Sequence, residues 1–531
     1  MRSKIERSLL EGRLLIRARR SLTSPILHRM LLFEERLDFF IGRMVRIRYS
    51  KKQPINPNLI VFCSFQGDFT DNPKYILKEL ISRKEKMEIV WIGREKSAKH
   101  PELFPKEVSH VYEWNTKEAF QALMQCRILI INSVELFKKP WYIKEGQVVI
   151  QTWHGSLGIK RFDKNSNKSK NWVKAAMLSS KHTDYLISNS DFENNIYRTS
   201  YWEKSEILMY GHPRNDILFE TDKTKIINLR KKIFSKYKIT EKGQKIVLYA
   251  PTFRDSKTFD CYSIDIKTTI KCLETRFKGK WICLVRYHPT IRSLDFGQKL
   301  GKTENVFDVT NYPDIQELLA ISDVGISDYS SWMFDFLLTG RPVFIFATDI
   351  GQYNTERGFA YPLESTPFPI ATNNKELQNN IIEFNAEDYF DSKCKFLEHK
   401  GAIEDGRASK RVSMKIKQIL DSNDGNETIF NHNLKIADKY ENGEAYLFIA
   451  RALRDGKGVD KDEERALRYY KKAASVNIKK AKKEMFDLLL KIGSDDALSE
   501  AIKIKKEQID KHRGYNKFVI TYSNIKLSIH F

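Results

Sequence analysis

What the chain lacks narrows it first. Its 531 residues include only six cysteines (Cys63, Cys126, Cys261, Cys272, Cys283 and Cys394), with no CxxC pair and no zinc-like spacing. That argues against a disulfide scaffold or a thiolate metal site and reads as reduced thiols in a cytosolic protein. No run approaches the roughly 18 consecutive apolar residues that a membrane-spanning helix needs. The N-terminus lacks a continuous apolar core followed by a small-residue cleavage site, so no secretory signal is expected. Acidic residues are outnumbered, 68 Asp and Glu against 91 Lys and Arg, for a formal net charge of +23. Such an excess calls for an acidic partner (nucleic acid, an anionic membrane surface or a phosphate-bearing substrate) without choosing among them. Hydrophobic content of 41% and aromatic content of 12% fit a globular protein, and the length accommodates several domains.

Four stretches differ in pattern. Residues 1–55 are basic, with Arg13, Arg17, Arg19, Arg20, Arg43, Arg46 and Arg48 interleaved with Leu14, Leu15, Ile16, Leu31, Leu32, Phe39, Phe40 and Ile41. Pro25 separates two expected helices, which suit either an anionic leaflet or a hairpin packed on the first domain. Glu6, Glu11, Glu34 and Glu35 argue against an organelle presequence. Over 56–220, apolar runs at 59–62, 89–92, 128–131, 147–150 and 185–187 alternate with helical patterns. A charged connector at 222–245 leads into a second series over 221–425, with runs at 246–249, 281–285, 306–309, 324–327 and 343–346. Strand and helix alternating this way predict an α/β chain with two doubly wound, Rossmann-like lobes and a cleft between them. Over 426–531, Ala445, Leu447, Ala450, Leu453, Ala466, Tyr469, Tyr470, Ala473, Ala474 and Ala481 recur at helical spacing around a turn containing Gly456 and Gly458. This all-α region resembles a Sel-type repeat and is expected to pack on the second lobe or on a protein partner. The tail segment 518–522 reads as a strand or a disordered end.

The chemistry-bearing residues fall at strand ends, where open α/β sheets bind ligands. His154 follows the run 147–150, and Gly155 permits a sharp turn there. A histidine so placed accepts a proton near neutral pH, or merely satisfies backbone groups. His288 lies in RYHP, where Pro289 holds it extended. Ser327, Asp328, Ser330, Ser331 and Asp335 precede or open an apolar helix, which suits either a phosphate site or simple helix capping. Thr252 and Arg254 follow a strand; Arg254 could pair with a phosphate, while it and Arg286 could equally be surface ion pairs. Arg214, Asn215 and Asp216 form a polar turn, as readily structural as functional. Asp328 and Asp335 make no metal-like cluster, so no protein-held metal is expected.

The segments QTWHGSLGIK, SNSDFENNIY, GHPRNDIL, YAPTFRD, RYHP, ISDYSSWMFDF and TGRPVFIF occur in one order, preceded by SFQGDFTDNPK. Together they resemble the CDP-glycerol glycerophosphotransferase family, the teichoic-acid and capsule polymer primases and polymerases, over roughly residues 58–400. The resemblance implies a GT-B architecture with an acceptor-side first lobe and a donor-side second lobe. Its HG(T/S) histidine falls on His154, with Ser156 where threonine is common, and its RxHP histidine on His288. Its phosphate loop falls on Ser327, Asp328, Ser330, Ser331 and Asp335, with Thr252, Arg254 and Arg286 also on the donor side. Gly155, Ser156, Asn189, Arg214, Asn215 and Asp216 would line the cleft. The implied activity moves glycerol phosphate, or a similar alditol phosphate, from CDP-glycerol or CDP-ribitol to a lipid-linked or polymeric acceptor, releasing CMP. No tightly bound cofactor is implied, although Mg²⁺ could travel with the diphosphate. The expected location is the bacterial cytoplasm, peripheral on the membrane's inner face, with nucleic acid no partner. Two other classes remain open: a GT-B glycosyltransferase using a sugar nucleotide, and a nonenzymatic basic scaffold for membranes or polyanions.

Overall fold

Short apolar runs closed by polar turns become parallel strands when helices cover both faces of a sheet. The computed structural model describes residues 42–139, 141–161, 169–254, 262–287 and 304–512. His288, Pro289, residues 1–41 and the tail at 518–522 therefore lie outside the described residues. The first sheet contains β1 (Asn56–Cys63), β2 (Glu88–Gly93), β3 (Val108–Glu113), β4 (Cys126–Ile131), β5 (Val148–Gln151), β6 (Tyr185–Ser188) and β7 (Glu206–Met209). Their spatial order is β3-β2-β1-β4-β5-β6-β7. The second sheet contains β8 (Lys245–Tyr249), β9 (Trp281–Val285), β10 (Val306–Asp308), β11 (Val324–Ser327), β12 (Val343–Phe346) and β13 (Ile370–Ala371), in the order β10-β9-β8-β11-β12-β13. Adjacent strands pair in parallel in both sheets. The strand ends in each lobe thus share one edge, which places binding loops there.

Alternate residues of each central strand face opposite cores. In the first sheet, Val61, Val90, Leu129, Val149 and Leu186 join one core with Trp153 and Trp202. Ile60, Phe62, Ile128, Ile130, Ile150 and Ile187 join the other. That second core also takes in Val412, Ile416 and Ile419 of the helix Ala408–Asp421. The expected donor lobe, 221–425, therefore gives this helix back to the first sheet, because its apolar stripe completes that sheet's outer layer. Asp421 onward forms a separate compact unit together with Lys52–Pro57. In this unit Asn433 brackets Ile55, accepting its N–H at 2.7 Å and donating to its carbonyl at 2.8 Å. Its helices Gly443–Asp455, Glu463–Ser475 and Lys479–Ile492 pack through Ala445, Ala450, Ala466, Ala473 and Ala481. Gly458 is required there, since a Cβ would come within 2.2 Å of the Asn426 main chain.

The α/β lobes are knit together at several points. After β5 the chain crosses over, and Leu157 and Ile159 are buried in the core around the second sheet. Ala360 N–H donates to the Ile159 carbonyl at 2.6 Å, and Arg161 N–H to the Gly358 carbonyl at 3.2 Å. Elsewhere Lys74 of the helix Asp71–Ser82 reaches across to Asp314 and Glu317, 2.5 Å from each, with its side chain 6% exposed. Tyr75 donates its hydroxyl to Asp314 at 3.0 Å. Burial alone would raise the Glu317 carboxyl, but Lys74 and the Tyr312 hydroxyl outweigh it and bring it down to about 2 from an ordinary 4.5. A carboxylate depressed on folding stabilises above its unfolded value and loses that contribution as the pH falls toward its folded one. The difference in melting temperature between the wild type and Glu317→Gln should therefore be largest near neutrality. It should close between pH 4.5 and 2, which calorimetry across that window would read.

Candidate active site

The turn after β5 is held from several directions. Trp153 has φ 51°, a left-handed conformation that a bulky residue adopts only when its surroundings impose it. Asn72 Nδ2 donates to the Thr152 and Trp153 carbonyls, both at 3.1 Å, and Gln151 Oε1 accepts the Trp153 N–H at 2.9 Å. The next residue, His154, is half-buried, with its ring 5.0 Å from Phe65 and 4.5 Å from Trp153. Its Nδ1 lies 2.6 Å from the Asn132 carbonyl oxygen. A carbonyl only accepts, so Nδ1 carries a proton, and in the neutral imidazole the lone pair then lies on Nε2. Asn132 also accepts the Phe65 N–H on Oδ1 at 2.5 Å, so it steadies both the imidazole and a ring stacked on it. The sequence offered one sign of Asn132, a polar residue directly after an apolar strand, and gave no hint of Asn72.

Arg214, in the 3-10 helix Pro213–Phe219, ties this turn to the second lobe. Its Nη2 donates to the Gly155 carbonyl at 2.7 Å, its Nε to Asp335 Oδ2 at 3.0 Å and its Nη1 to Asp71 Oδ1 at 3.3 Å. Burial disfavours the charge, yet Asp335 and Asp71 more than offset it and raise the guanidinium above its ordinary value. Asn215 Nδ2 donates to Glu404 at 2.9 Å and to Asp335 at 3.3 Å. Asn189 Nδ2 donates to Ser156 Oγ at 3.0 Å. Asp216 does not line the cleft: its two oxygens accept the Ala408 and Ser409 N–H groups at the start of the helix Ala408–Asp421.

Several side chains expected on the donor side find partners within the protein itself. Arg254 is 4% exposed and bonds Asp349 through Nε at 2.6 Å and Nη2 at 2.9 Å, with Nη1 on the Thr252 carbonyl at 2.7 Å and 2.8 Å from Asp328. A guanidinium so engaged holds its loop together rather than a phosphate. Ser327 donates to the Ala250 carbonyl at 2.8 Å. Asp328 Oδ1 accepts the Thr252 and Tyr329 N–H groups. Asp335 takes Arg214 and Gln316. Arg286 donates to the Tyr312 and Pro313 carbonyls at 3.2 and 3.4 Å.

The remaining hydroxyls expected on the donor side are those of Thr252, Ser330 and Ser331. Thr252 Oγ1 is buried without a hydrogen-bond partner among the described residues. Ser330 and Ser331 are half-buried before the six-residue helix Trp332–Leu337, and Ser331 makes no side-chain cap. That removes the capping explanation for Ser331. The first lobe reaches this point: a Cβ on Gly158 would stand 3.3 Å from Ser331 Cβ. The His154 turn and the serine pair therefore flank one junction between the lobes. A cavity of about 310 Å³ beside Phe277, Trp281, Phe384 and Tyr389 opens instead at the amino ends of β8, β9 and β11, the edge away from this chemistry. Among the described residues no group of three or more His, Cys, Asp or Glu side chains is placed to hold a metal ion.

Removing Arg214 would leave Asp335 buried without its cation. Arg214→Ala should cost about 3–5 kcal/mol of unfolding free energy. Arg214→Lys should recover only part, since one ammonium cannot serve Gly155, Asp71 and Asp335 together. Denaturant titration of the two variants measures both.

Comparison with known proteins identifies the family and the fold. The family model for CDP-Glycerol:Poly(glycerophosphate) glycerophosphotransferase matches residues 44–418. The teichoic acid poly(glycerol phosphate) polymerase of Staphylococcus epidermidis is 30% identical over 386 residues, which are 68% of this chain and 51% of that one. The teichoic acid glycerol-phosphate transferase of Staphylococcus aureus is 30% identical over 380 residues, 68% of this chain and 93% of that one. This chain thus spans about half the length of the first relative and nearly all of the second. A solved structure of the wall teichoic acid polymerase TagF is 26% identical with a TM-score of 0.60, covering 75% of this chain and 99% of its own; a variant of that polymerase has been solved after soaking with CDPG. The architecture is accordingly GT-B-like, and the chain belongs to the CDP-glycerol:poly(glycerophosphate) glycerophosphotransferase family.

Proposed function

We propose that this chain transfers glycerol phosphate, or a similar alditol phosphate, from its CDP conjugate to a hydroxyl of a polymeric or lipid-linked acceptor, releasing CMP. The observation that carries this reading is the placement of His154 at a strand end, its Nδ1 held by the Asn132 carbonyl, in a turn that leads to Gly158 beside hydroxyl-bearing Ser331 of the other lobe. The acceptor oxygen attacks the β-phosphorus of the donor, forming one P–O bond as the bond to the CMP oxygen breaks. His154 Nε2 takes the proton from the attacking hydroxyl. Thr252, Ser330 and Ser331 donate hydrogen bonds to the diphosphate, where charge shifts during transfer. His288, from the RYHP motif, is assigned to the leaving CMP phosphate. Mg²⁺, where present, enters with the diphosphate. A net charge of +23 favours an acceptor displayed on an anionic leaflet, which would place the enzyme on the inner face of the bacterial membrane.

CMP release with each CDP-alditol and a defined acceptor tests the reading. His154→Ala should lower turnover by about 10²–10⁴-fold while leaving CDP-glycerol affinity near that of the wild type. Turnover at wild-type level, or transfer from a UDP-sugar with no CMP from either CDP-alditol, would refute it. Ser330→Ala should weaken donor binding about tenfold, the effect of losing a hydrogen bond to a charged group. Ser327→Ala should leave donor binding unchanged, because that hydroxyl is already committed to Ala250. Calorimetric titration with CDP-glycerol separates the two serines.

A further inference from the structure

Behind the His154 turn lies a buried polar chain that the transfer chemistry leaves unused. It begins at Glu404, between the helices Ala386–His399 and Ala408–Asp421, where the chain returns from the second lobe to the first. This return segment pairs with residues that follow β6. Ile403 N–H donates to the Asn189 carbonyl at 2.9 Å, Phe192 N–H to the Lys400 carbonyl at 3.1 Å, and Ser190 and Ala402 form an antiparallel bridge. Glu404 Oε1 accepts from Asn189 Nδ2 at 2.9 Å, Asn215 Nδ2 at 2.9 Å and the His212 N–H at 3.1 Å. Asn189 Nδ2 in turn reaches Ser156 Oγ at 3.0 Å. Ser156 stands two residues after His154, in the turn whose Gly155 carbonyl is held by Arg214.

One carboxyl oxygen thus gathers donors from the ends of β6 and β7 and passes the constraint to the turn after β5. Glu404 Oε2 accepts no hydrogen bond among the described residues and faces Gly211, where a Cβ would come within 2.8 Å of it. The neighbouring charges are committed elsewhere: His212 Nε2 lies 3.0 Å from Glu193 Oε2, and Arg214 is paired with Asp335. Burial pushes the Glu404 carboxyl up, against the opposing pull of His212 and of the hydrogen bonds it accepts, and no cation pairs with it directly among the described residues. An acceptor oxygen in the right place is what the network needs, and an amide oxygen supplies that equally well.

We infer that Glu404 is a positioning residue for the transfer: through Asn189 it fixes Ser156, and so the turn that presents His154, from the segment on which the lobes rejoin. This rests on the alditol-phosphate transferase reading above. The test compares the full-length wild type, Glu404→Ala, Glu404→Gln, Asn189→Ala and the double variant by CMP-release kinetics and by amide hydrogen exchange over residues 153–158. Glu404→Ala should lower kcat about 10- to 100-fold, the scale of a displaced catalytic group, with faster exchange over 153–158. Its KM for CDP-glycerol should stay within about twofold, because the donor contacts are untouched. Glu404→Gln should restore both readouts, and the double variant should be no worse than Glu404→Ala alone. Wild-type kcat in Glu404→Ala, unaltered exchange at the turn, or a Gln variant as impaired as the Ala variant would each overturn the inference. If Glu404→Ala fails to fold, Asn189→Ala cuts the same link with Glu404 in place, and wild-type behaviour there overturns it. A wild type that releases no CMP would sink the transferase reading instead, while the exchange comparison would still decide whether Glu404 holds the turn.

Discussion

A guanidinium shut away from water is tolerable only when nearly every N–H finds an oxygen and its charge finds a carboxylate. Arg214 meets that condition by drawing on three parts of the chain: Gly155 beside the base, Asp71 at a helix start in the first lobe, and Asp335 in the second. The three oxygens come together only if the lobes are in register. The guanidinium therefore both demands that register and rewards it, and the position of the imidazole follows. Asn72 belongs to the same arrangement, since its Oδ1 accepts the Arg214 N–H at 3.0 Å while its Nδ2 holds the strained turn at Trp153.

Around this point the two sheets behave as rigid platforms. Parallel strands buried on both faces leave little freedom except in the loops at their carboxyl ends. In the first lobe those loops carry Asn132, His154 and Asn189; in the second they carry Thr252 and the Ser330–Ser331 pair. Lys74 with Asp314 and Glu317 forms another cross-lobe contact, desolvated like that of Arg214, so buried charges act beside the apolar packing of Leu157 and Ile159 in matching the lobes. Such pairs contribute modest net stability but penalise wrong alignments heavily.

How much of this was legible in the residues depended on where each partner lies along the chain. The central strands were plain because an apolar run announces a strand buried on both faces. The edge strands β3 and β7 were missed, being half-exposed and mixed in character, and β13 has only two residues. The placement of His154 could be read because strand, glycine and histidine are contiguous. Arg254, Ser327, Asp328 and Asp335 were read as ligand-facing because a sequence reveals that a side chain is polar but not what satisfies it. Arg254 is answered by Asp349, 95 positions away, and Asp335 by Arg214, 121 positions away. Glu404 lies still further from Asn189, 215 positions along the chain, which put it beyond any local pattern.

The burial of Leu157 and Ile159 bears on how this protein is made. Both belong by position to the first half of the chain, yet the core that shelters them includes residues from β12 and beyond. At ribosomal speeds of roughly 5–20 residues per second, the stretch from Ile159 to Ala360 takes on the order of 10–40 s to emerge. Through that interval two greasy side chains on the nascent polypeptide lack the core that later shelters them, a few residues from His154. The segment after β5 thus completes its burial only once the second lobe has been made.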